Sequence, residues 1–241
     1  MKGKRLVLRI VLLTLLTILT VALIAVGVFA VLGWNMHQEA VTSRPVRQVY
    51  AELSQEEHFV EFDELPEFYV NAVVATEDRD FWGHSGIDPS AIVRALLHDI
   101  AARDFAEGGS TITMQTAKNL YYTQDKRLER KTAEVFTAFE LEDKLDKKQI
   151  FELYVNTIYF GSNYYGIYAA SMGYYGVPPS ELTDEQCAVL AGIPQAPSAY
   201  SPDVSPELAH QRAQQVLKSM RECGYICLLY TSPSPRDAHE S

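Results

Sequence analysis

Four short runs in this chain put side chains that can move protons or hold anions at fixed intervals. The first is ATEDRDFWGHSGID, in which Glu77 and Asp78 close an apolar stretch beside Phe81 and Trp82. A carboxylate partly buried against aromatic surface has its pKa raised towards the range in which it can take and hold a proton, which makes Glu77 a candidate general base. The two carboxylates could equally cap or salt-bridge a helix end, and spacing alone favours that structural role. His84 and Gly86 then complete a turn into Asp88. The second run, EGGSTITMQTAKNLYY, leads from a glycine pair into a hydroxyl-rich helix start, with Gln115, Lys118 and Asn119 one turn further on. Free N–H groups and hydroxyls at a helix N-terminus suit an anion or a sugar, and Lys118 adds a point charge. A flexible loop before an ordinary capped helix has the same pattern. In the third run, RLERKTAEVF, residues Arg127, Arg130, Lys131 and Glu134 fall at i, i+3, i+4 and i+7 and share one helical face. Such a stripe could grip a pyrophosphate or remain a solvated face with internal ion pairs. The fourth, KKQIFELYVNTIYFG, places Glu152 and Asn156 one turn apart on a helix otherwise rich in apolar residues, where their expected role is structural hydrogen bonding.

The elements that must position these residues are helical. Pro66 suits the start of a helix whose apolar face is Phe68, Val70, Val73 and Val74, leading to Glu77. Asp88-Pro89 starts another, with Ile92, Leu96, Leu97 and Ile100 on one stripe. Ser110 is expected to cap a helix running to about Tyr122, and further helices are predicted over about 127–145 and 147–155. Thr183 with Gln186 forms a capping box for a helix through Ala191. Ser205-Pro206 opens the last one, with Leu208, Val216, Leu217 and Met220 facing inward. Residues 35–64 show no sustained periodicity and are expected to form a juxtamembrane connector or a short strand-bearing segment. Strand signals are sparse elsewhere, so the fold class is mainly α.

Composition narrows the function classes. The 241 residues carry 31 Asp and Glu against 21 Lys and Arg, which argues against a general nucleic-acid binder. The three cysteines, Cys187, Cys223 and Cys227, are too few for a disulfide framework, and the CxxxC near the end lacks a second ligand pair for zinc. Between Ile10 and Trp34 there is no charged residue, and the stretch is long enough to span a hydrocarbon core as a helix. It is also longer than the apolar region of a cleaved signal peptide. Lys2, Lys4, Arg5 and Arg9 precede it, so the positive-inside rule puts residues 1–9 in the cytoplasm and everything after the 10–34 anchor outside. Residues 65–222 form the expected catalytic domain. Residues 226–241, with clustered Ser and Pro, read as an atypical tail, either disordered or a non-native junction.

In order and spacing, EDRDFWGHSG, GGSTITMQTAKN, RKTAE and KKQIFELYVN resemble the motif series of the peptidoglycan glycosyltransferase domain of class A penicillin-binding proteins and monofunctional transglycosylases, glycosyltransferase family 51. The likeness continues through YFGSNYYGIYAASMGYYG and LTDEQCAVLAGIPQAPSAYSP and covers about residues 60–215. Met114 departs from the Gln-Gln pair often found there. The resemblance implies a lysozyme-like, two-lobed helical domain beside the bacterial cytoplasmic membrane, acting on lipid II and the growing glycan strand. It implies Glu77 as the base that removes the proton from the acceptor 4-hydroxyl and Glu134 as a second catalytic glutamate at the leaving pyrophosphate. Lys118, Arg130 and Lys131, with Lys126 or Arg127, would neutralise the pyrophosphate. Ser110, Thr111 and Gln115 would line the sugar and phosphate site, alongside Asn119, Glu152 and Asn156, while Asp78, Phe81 and His84 would shape the loop behind Glu77. A divalent cation, Mg2+ or Mn2+, is expected at the pyrophosphate, although no cluster of side chains forms an all-protein cage. Expected partners are transpeptidases and other cell-wall synthesis proteins. The rival activities are a lytic transglycosylase or lysozyme-like glycan cleaver, which has no pyrophosphate to neutralise, and a non-enzymatic wall-binding module. No SxxK run with its SxN and KTG companions is present, so the chain as written reads as monofunctional, or as a piece of a longer bifunctional protein.

Overall fold

The structure, a computed structural model, describes residues 2–94, 109–122 and 128–227. It begins with one long helix, α1 (Lys2–Ser43), whose apolar portion is long enough to cross a membrane. Within it, the hydroxyls of Thr14, Thr17 and Thr20 each donate to the carbonyl four residues back at 2.8 Å. Polar atoms that would otherwise meet lipid are thereby satisfied inside the helix.

The segment expected to be a connector or strand is helical instead. Helix α1 runs nine residues past Trp34, and α2 (Val46–Leu53) follows after Pro45, burying Val46 and Val49. Val46, Val49, Tyr50 and Leu53 fall at i, i+3, i+4 and i+7 and turn one stripe towards the core, but the stripe spans only two turns. A 3-10 turn, Phe62–Glu64, precedes α3 (Glu67–Glu77), which buries Val70, Val73 and Val74, with Phe68 packed partly against the core. Residues 89–94 form the described part of α4. Asp88 Oδ1 accepts from the N–H groups of Ser90 and Ala91 at 2.8 and 3.0 Å, the expected N-terminal cap. Leu96, Leu97 and Ile100 lie outside the described residues.

Thereafter come α5 (Ile112–Tyr121), α6 (Leu128–Lys144), α7 (Lys147–Thr157), α8 (Ile167–Tyr175), α9 (Asp184–Gly192), the short α10 (Pro197–Tyr200) and α11 (Pro206–Glu222). Thr183 and Gln186 make the predicted capping box, and Asp146 with Gln149 makes a second at the start of α7. On α11, Val216, Leu217 and Met220 are buried as expected, whereas Leu208 is exposed and Ala209 and Ala213 fill the inward positions. Among the described residues, the β pairing outside helices is an isolated bridge between Tyr159 and Tyr165.

Two sets of packed helices follow from the contacts: α3 with α9 and α11, and α5 with α6 and α7. One continuous core joins them, with Tyr69, Phe81, Phe151, Tyr154, Phe160 and Leu190 among its fully buried side chains. Helix α1 lies along α6. Ile226, at the start of the segment read as a tail, packs against this core, and residues 228–241 lie outside the described residues.

Glu152 and Asn156 serve this packing. Glu152 accepts from the Tyr50 hydroxyl and the Phe62 N–H, each at 2.8 Å. The Asn156 amide pairs with both backbone groups of Val60 at 2.9 Å and donates to the Glu152 carbonyl. These hydrogen bonds hold residues 50–62 onto α7, the structural role their apolar helix suggests. Replacing Asn156 by Leu should destabilise the domain by about 1–3 kcal/mol for each Val60 group left unpaired. A denaturant titration checks this: the midpoint should fall with the slope unchanged, and an unmoved midpoint would contradict the assignment.

Candidate active site

Glu77 is the last residue of α3, is part-buried and lines a cavity of about 200 Å³. Gln115, projecting from α5, donates from Nε2 to Glu77 Oε2 at 2.8 Å. This hydrogen bond crosses from one helix set to the other. Burial is the main influence on the Glu77 carboxyl and raises its pKa; Asp78 adds to the rise, while Gln115, Arg212 and Lys118 work against it. The helix pole compounds the effect, because the outward carbonyls at a C-terminus disfavour an anion. Behind Glu77 stand two fully buried tyrosines, Tyr69 and Tyr154, whose phenols burial pushes well above their ordinary range, with the charge of Glu77 contributing.

The loop after Glu77 is fixed from within. Asp78 is buried and accepts from His84 Nε2 at 2.8 Å and from the Ile112 N–H at 3.0 Å, so one carboxylate ties the loop to the first turn of α5. His84 Nδ1 in turn accepts from the Gly86 N–H at 3.1 Å. Gly86 adopts a φ of +98° against the backbone of Ala138 on α6, a conformation and a closeness that favour glycine. Phe81 is fully buried between Trp82 and Phe151, with the Lys147 ammonium 4.5 Å from its ring centre. Asp78, Phe81 and His84 thus fix the loop that follows Glu77 from within.

The start of α5 differs by one residue from its sequence reading. Thr111, not Ser110, is the cap: its hydroxyl accepts from the Met114 N–H and donates to the Gly86 carbonyl at 2.6 Å. Ser110 is thereby released to line the cavity and to accept from Lys131 Nζ at 2.6 Å. Lys131 Nζ also lies 3.0 Å from Glu134 Oε2, and Arg130 Nε lies 2.9 Å from Glu134 Oε1. Glu134 itself is buried, so its charge is tolerated only because two cations bracket it. The cavity at Glu77 thus adjoins, through Ser110, a cluster of net positive charge on α6.

Glu77, Ser110 and Thr111 line one cavity, Gln115 and Lys118 act on Glu77 from α5, and Arg130, Lys131 and Glu134 are joined to the cavity through Ser110. Asn119 sits on α5 with its amide nitrogen buried and without a hydrogen-bond partner among the described residues. Lys126 and Arg127 lie outside the described residues. Met114, the departure from the expected Gln-Gln pair, is buried in the core, a position that offers no polar contact to the cleft. Three arginines were missed from the sequence. Arg79 and Arg94 line the cavity, with Arg79 paired to Glu222 at 2.7 Å and Arg94 lying 3.7 Å from Asp88. Arg212 is held by the Gly192 carbonyl at 3.3 Å and bears electrostatically on Glu77 from α11. Arg79 could have been found by its position two residues after Glu77; nothing local marks Arg212.

The raised pKa of Glu77 has a consequence for stability. A carboxyl whose folded pKa lies above its unfolded value favours the fold while protonated, and that contribution is lost as pH rises through the folded value. Glu77→Gln should therefore raise the thermal midpoint at pH 7, with the gain vanishing below the ordinary carboxylate range. Midpoints measured across pH check this, and a lower midpoint for the variant at pH 7 would contradict it.

Comparison with known proteins agrees with this geometry. The family model described as Transglycosylase matches residues 43–221, a span that begins within the segment read as a connector. Penicillin-binding protein 1A of Aquifex aeolicus is 50% identical over 172 residues, 71% of this chain and 24% of that protein. Penicillin-binding protein 1F of Bacillus subtilis is 44% identical over 167 residues, 69% of this chain and 23% of that protein. Penicillin-binding protein 1A of Pseudomonas aeruginosa is 39% identical over 167 residues, 69% of this chain and 20% of that protein. The chain spans about a quarter of the length of the curated relatives it matches. With the family model matching well over half its residues, the chain belongs to the transglycosylase family.

Proposed function

We propose that this chain is a peptidoglycan glycosyltransferase that polymerises lipid II, transferring the growing strand from its polyprenyl pyrophosphate to the 4-hydroxyl of an acceptor sugar. The observation that carries this reading is a part-buried carboxylate, Glu77, under the field of Lys118, in a cavity that Ser110 links to the cations Arg130 and Lys131. Ionised Glu77 takes the proton of the acceptor hydroxyl as its oxygen forms a bond to the donor's anomeric carbon. The bond from that carbon to the pyrophosphate oxygen breaks, and its electron pair leaves with the pyrophosphate. Attack on one face and departure from the other invert the anomeric centre, so no covalent intermediate on the enzyme is needed. Lys118, Arg130 and Lys131 stabilise the charge that gathers on the leaving group. Glu134 holds the two α6 cations in place without cancelling both.

A divalent cation fits these residues poorly as a protein-held group. Glu134 is already engaged by two cations, and among the described residues no three His, Cys, Asp or Glu side chains cluster. Any divalent cation at the pyrophosphate would be bound chiefly by substrate oxygens.

Helix α1 suits a substrate carried in a membrane, since tethering confines the search to the plane in which the lipid lies. The basic residues before Ile10 support an orientation with the N-terminus inside and the domain on the outer face. Family membership supports a setting among cell-wall synthesis proteins, transpeptidases included.

Incubation of the anchored protein with lipid II tests the reading. Wild type should yield polymer, and Glu77→Gln should lower the rate by about 10²–10⁴-fold. Shortening of preformed glycan in place of polymer growth would overturn it. The rate should fall as acid protonates Glu77, and Gln115→Ala, by removing a hydrogen bond that favours the ionised form, should move that acidic limb to higher pH. An unmoved limb would separate Gln115 from the base.

A further inference from the structure

Burial along α1 changes character part-way. From Ile10 to Val28 the helix is exposed on all sides, as lipid-covered residues would be. Beyond that a stripe appears: Phe29 is part-buried, Gly33 and His37 are buried, and Ala40 and Val41 are part-buried, one position per turn. The partner of this stripe is α6, the helix that carries Arg130, Lys131 and Glu134.

The contact is close and specific. A Cβ added at Gly33 would lie 2.0 Å from Thr132 Oγ1 and 2.9 Å from the Ala133 nitrogen, so glycine alone permits the approach. The Thr132 hydroxyl donates to the Phe29 carbonyl at 2.9 Å. One turn on, Trp34 packs edge-on against Phe136 at 5.2 Å. His37 Nδ1 then sits 2.9 Å from Thr137 Oγ1, and the Tyr122 hydroxyl sits 2.6 Å from the same oxygen. Tyr122 directly follows α5, the helix of Gln115 and Lys118. Thr137 is fully buried, and its hydroxyl is the point at which α1, the end of α5 and α6 are joined.

We infer that the last turns of α1 are a positioning element of the transfer site, with Gly33 and His37 as positioning residues that fix the angle between α5 and α6 and so the distance of the Glu134 cluster from Glu77. Helices packed at this density do not slide continuously; removing a close contact moves one against the other or opens a gap. The membrane anchor then sets the internal geometry of the site as well as its location. This rests on the function proposed above, in which both helices face one substrate.

Gly27 supplies an internal control, because a Cβ there would meet nothing within 4 Å. The full chain, in lipid nanodiscs, is compared as wild type, Gly33→Leu, Gly27→Leu, His37→Phe, and Gly33→Ala combined with Thr132→Gly. Three quantities are read: the separation of spin labels at Gln38 and Glu129 in a background lacking the three cysteines, the affinity for polyprenyl pyrophosphate added to the discs, and the KM and kcat for lipid II. Gly33→Leu should shift the label separation, weaken polyprenyl pyrophosphate binding and raise KM by about tenfold to a hundredfold, with kcat less affected. His37→Phe should act in the same direction, Gly27→Leu should match wild type, and the double variant should recover most of the loss. A shifted separation with unchanged affinity and KM would make α1 a tether only and overturn the inference. An unshifted separation in Gly33→Leu, or a wild type that binds no polyprenyl pyrophosphate, would overturn it as well. A wild type that binds this lipid but makes no polymer would refute glycosyl transfer instead, while the affinity series supports or overturns the inference by itself.

Discussion

A carboxylate closes helix α3 at the pole where backbone carbonyls point outward and an anion is least favoured. Burial raises the cost of ionising Glu77 further, and Asp78 next to it adds like charge. Only the amide of Gln115 and the fields of Arg212 and Lys118 oppose this. The balance leaves a carboxyl that ionises above its usual range, and this reluctance to stay charged is what lets a base take and hold a proton. Much of the surrounding structure keeps that balance. Thr111 caps α5 so that Gln115 faces Glu77, Asp78 binds the loop to the first turn of α5, and Gly86 lets the same loop pass against α6.

The same economy appears at the other end of the cleft. Glu134 is buried, a position that would be prohibitive without Arg130 and Lys131. Two cations against one carboxylate leave positive charge to spare for an anion, and Ser110 carries one of those cations to the edge of the Glu77 cavity. A proton acceptor and an anion cradle in adjoining positions are the two halves of an inverting displacement of pyrophosphate. The carboxylate by itself does not distinguish synthesis of a glycan from its cleavage; the cations beside it favour synthesis, because a glycan cleaver has no pyrophosphate to neutralise.

Much of this arrangement was legible in the sequence because it is local. The end of α3 at Glu77, the face shared by Arg130, Lys131 and Glu134, and the Thr183–Gln186 box each depend on residues within two turns. The hydrogen bonds of Glu152 and Asn156 to residues 50–62 follow from two polar side chains on an otherwise apolar helix, although their partners lie some ninety to a hundred residues away. Choosing between Ser110 and Thr111 as cap required the position of Gly86, twenty-five residues away from Thr111. The packing of α1 on α6 and the field of Arg212 at Glu77 join positions still further apart, and no periodicity encodes them. Residues 35–64 hid their helices for a different reason: α1 overruns its apolar stretch, and the stripe of Val46, Val49, Tyr50 and Leu53 on α2 spans only two turns before the period breaks off.

The central claim is that Glu77, with its ionisation shifted upward by burial, is the base whose protonation state governs the reaction. Its titration can be followed directly by carbon-13 NMR of glutamate-labelled protein, with Glu77→Gln identifying the signal, and set beside the pH dependence of kcat/KM for lipid II. The account predicts a Glu77 midpoint above the ordinary carboxylate range that coincides with the acidic limb of the rate profile. A Glu77 that titrates like an exposed glutamate, or an acidic limb at a pH where Glu77 does not titrate, would contradict it.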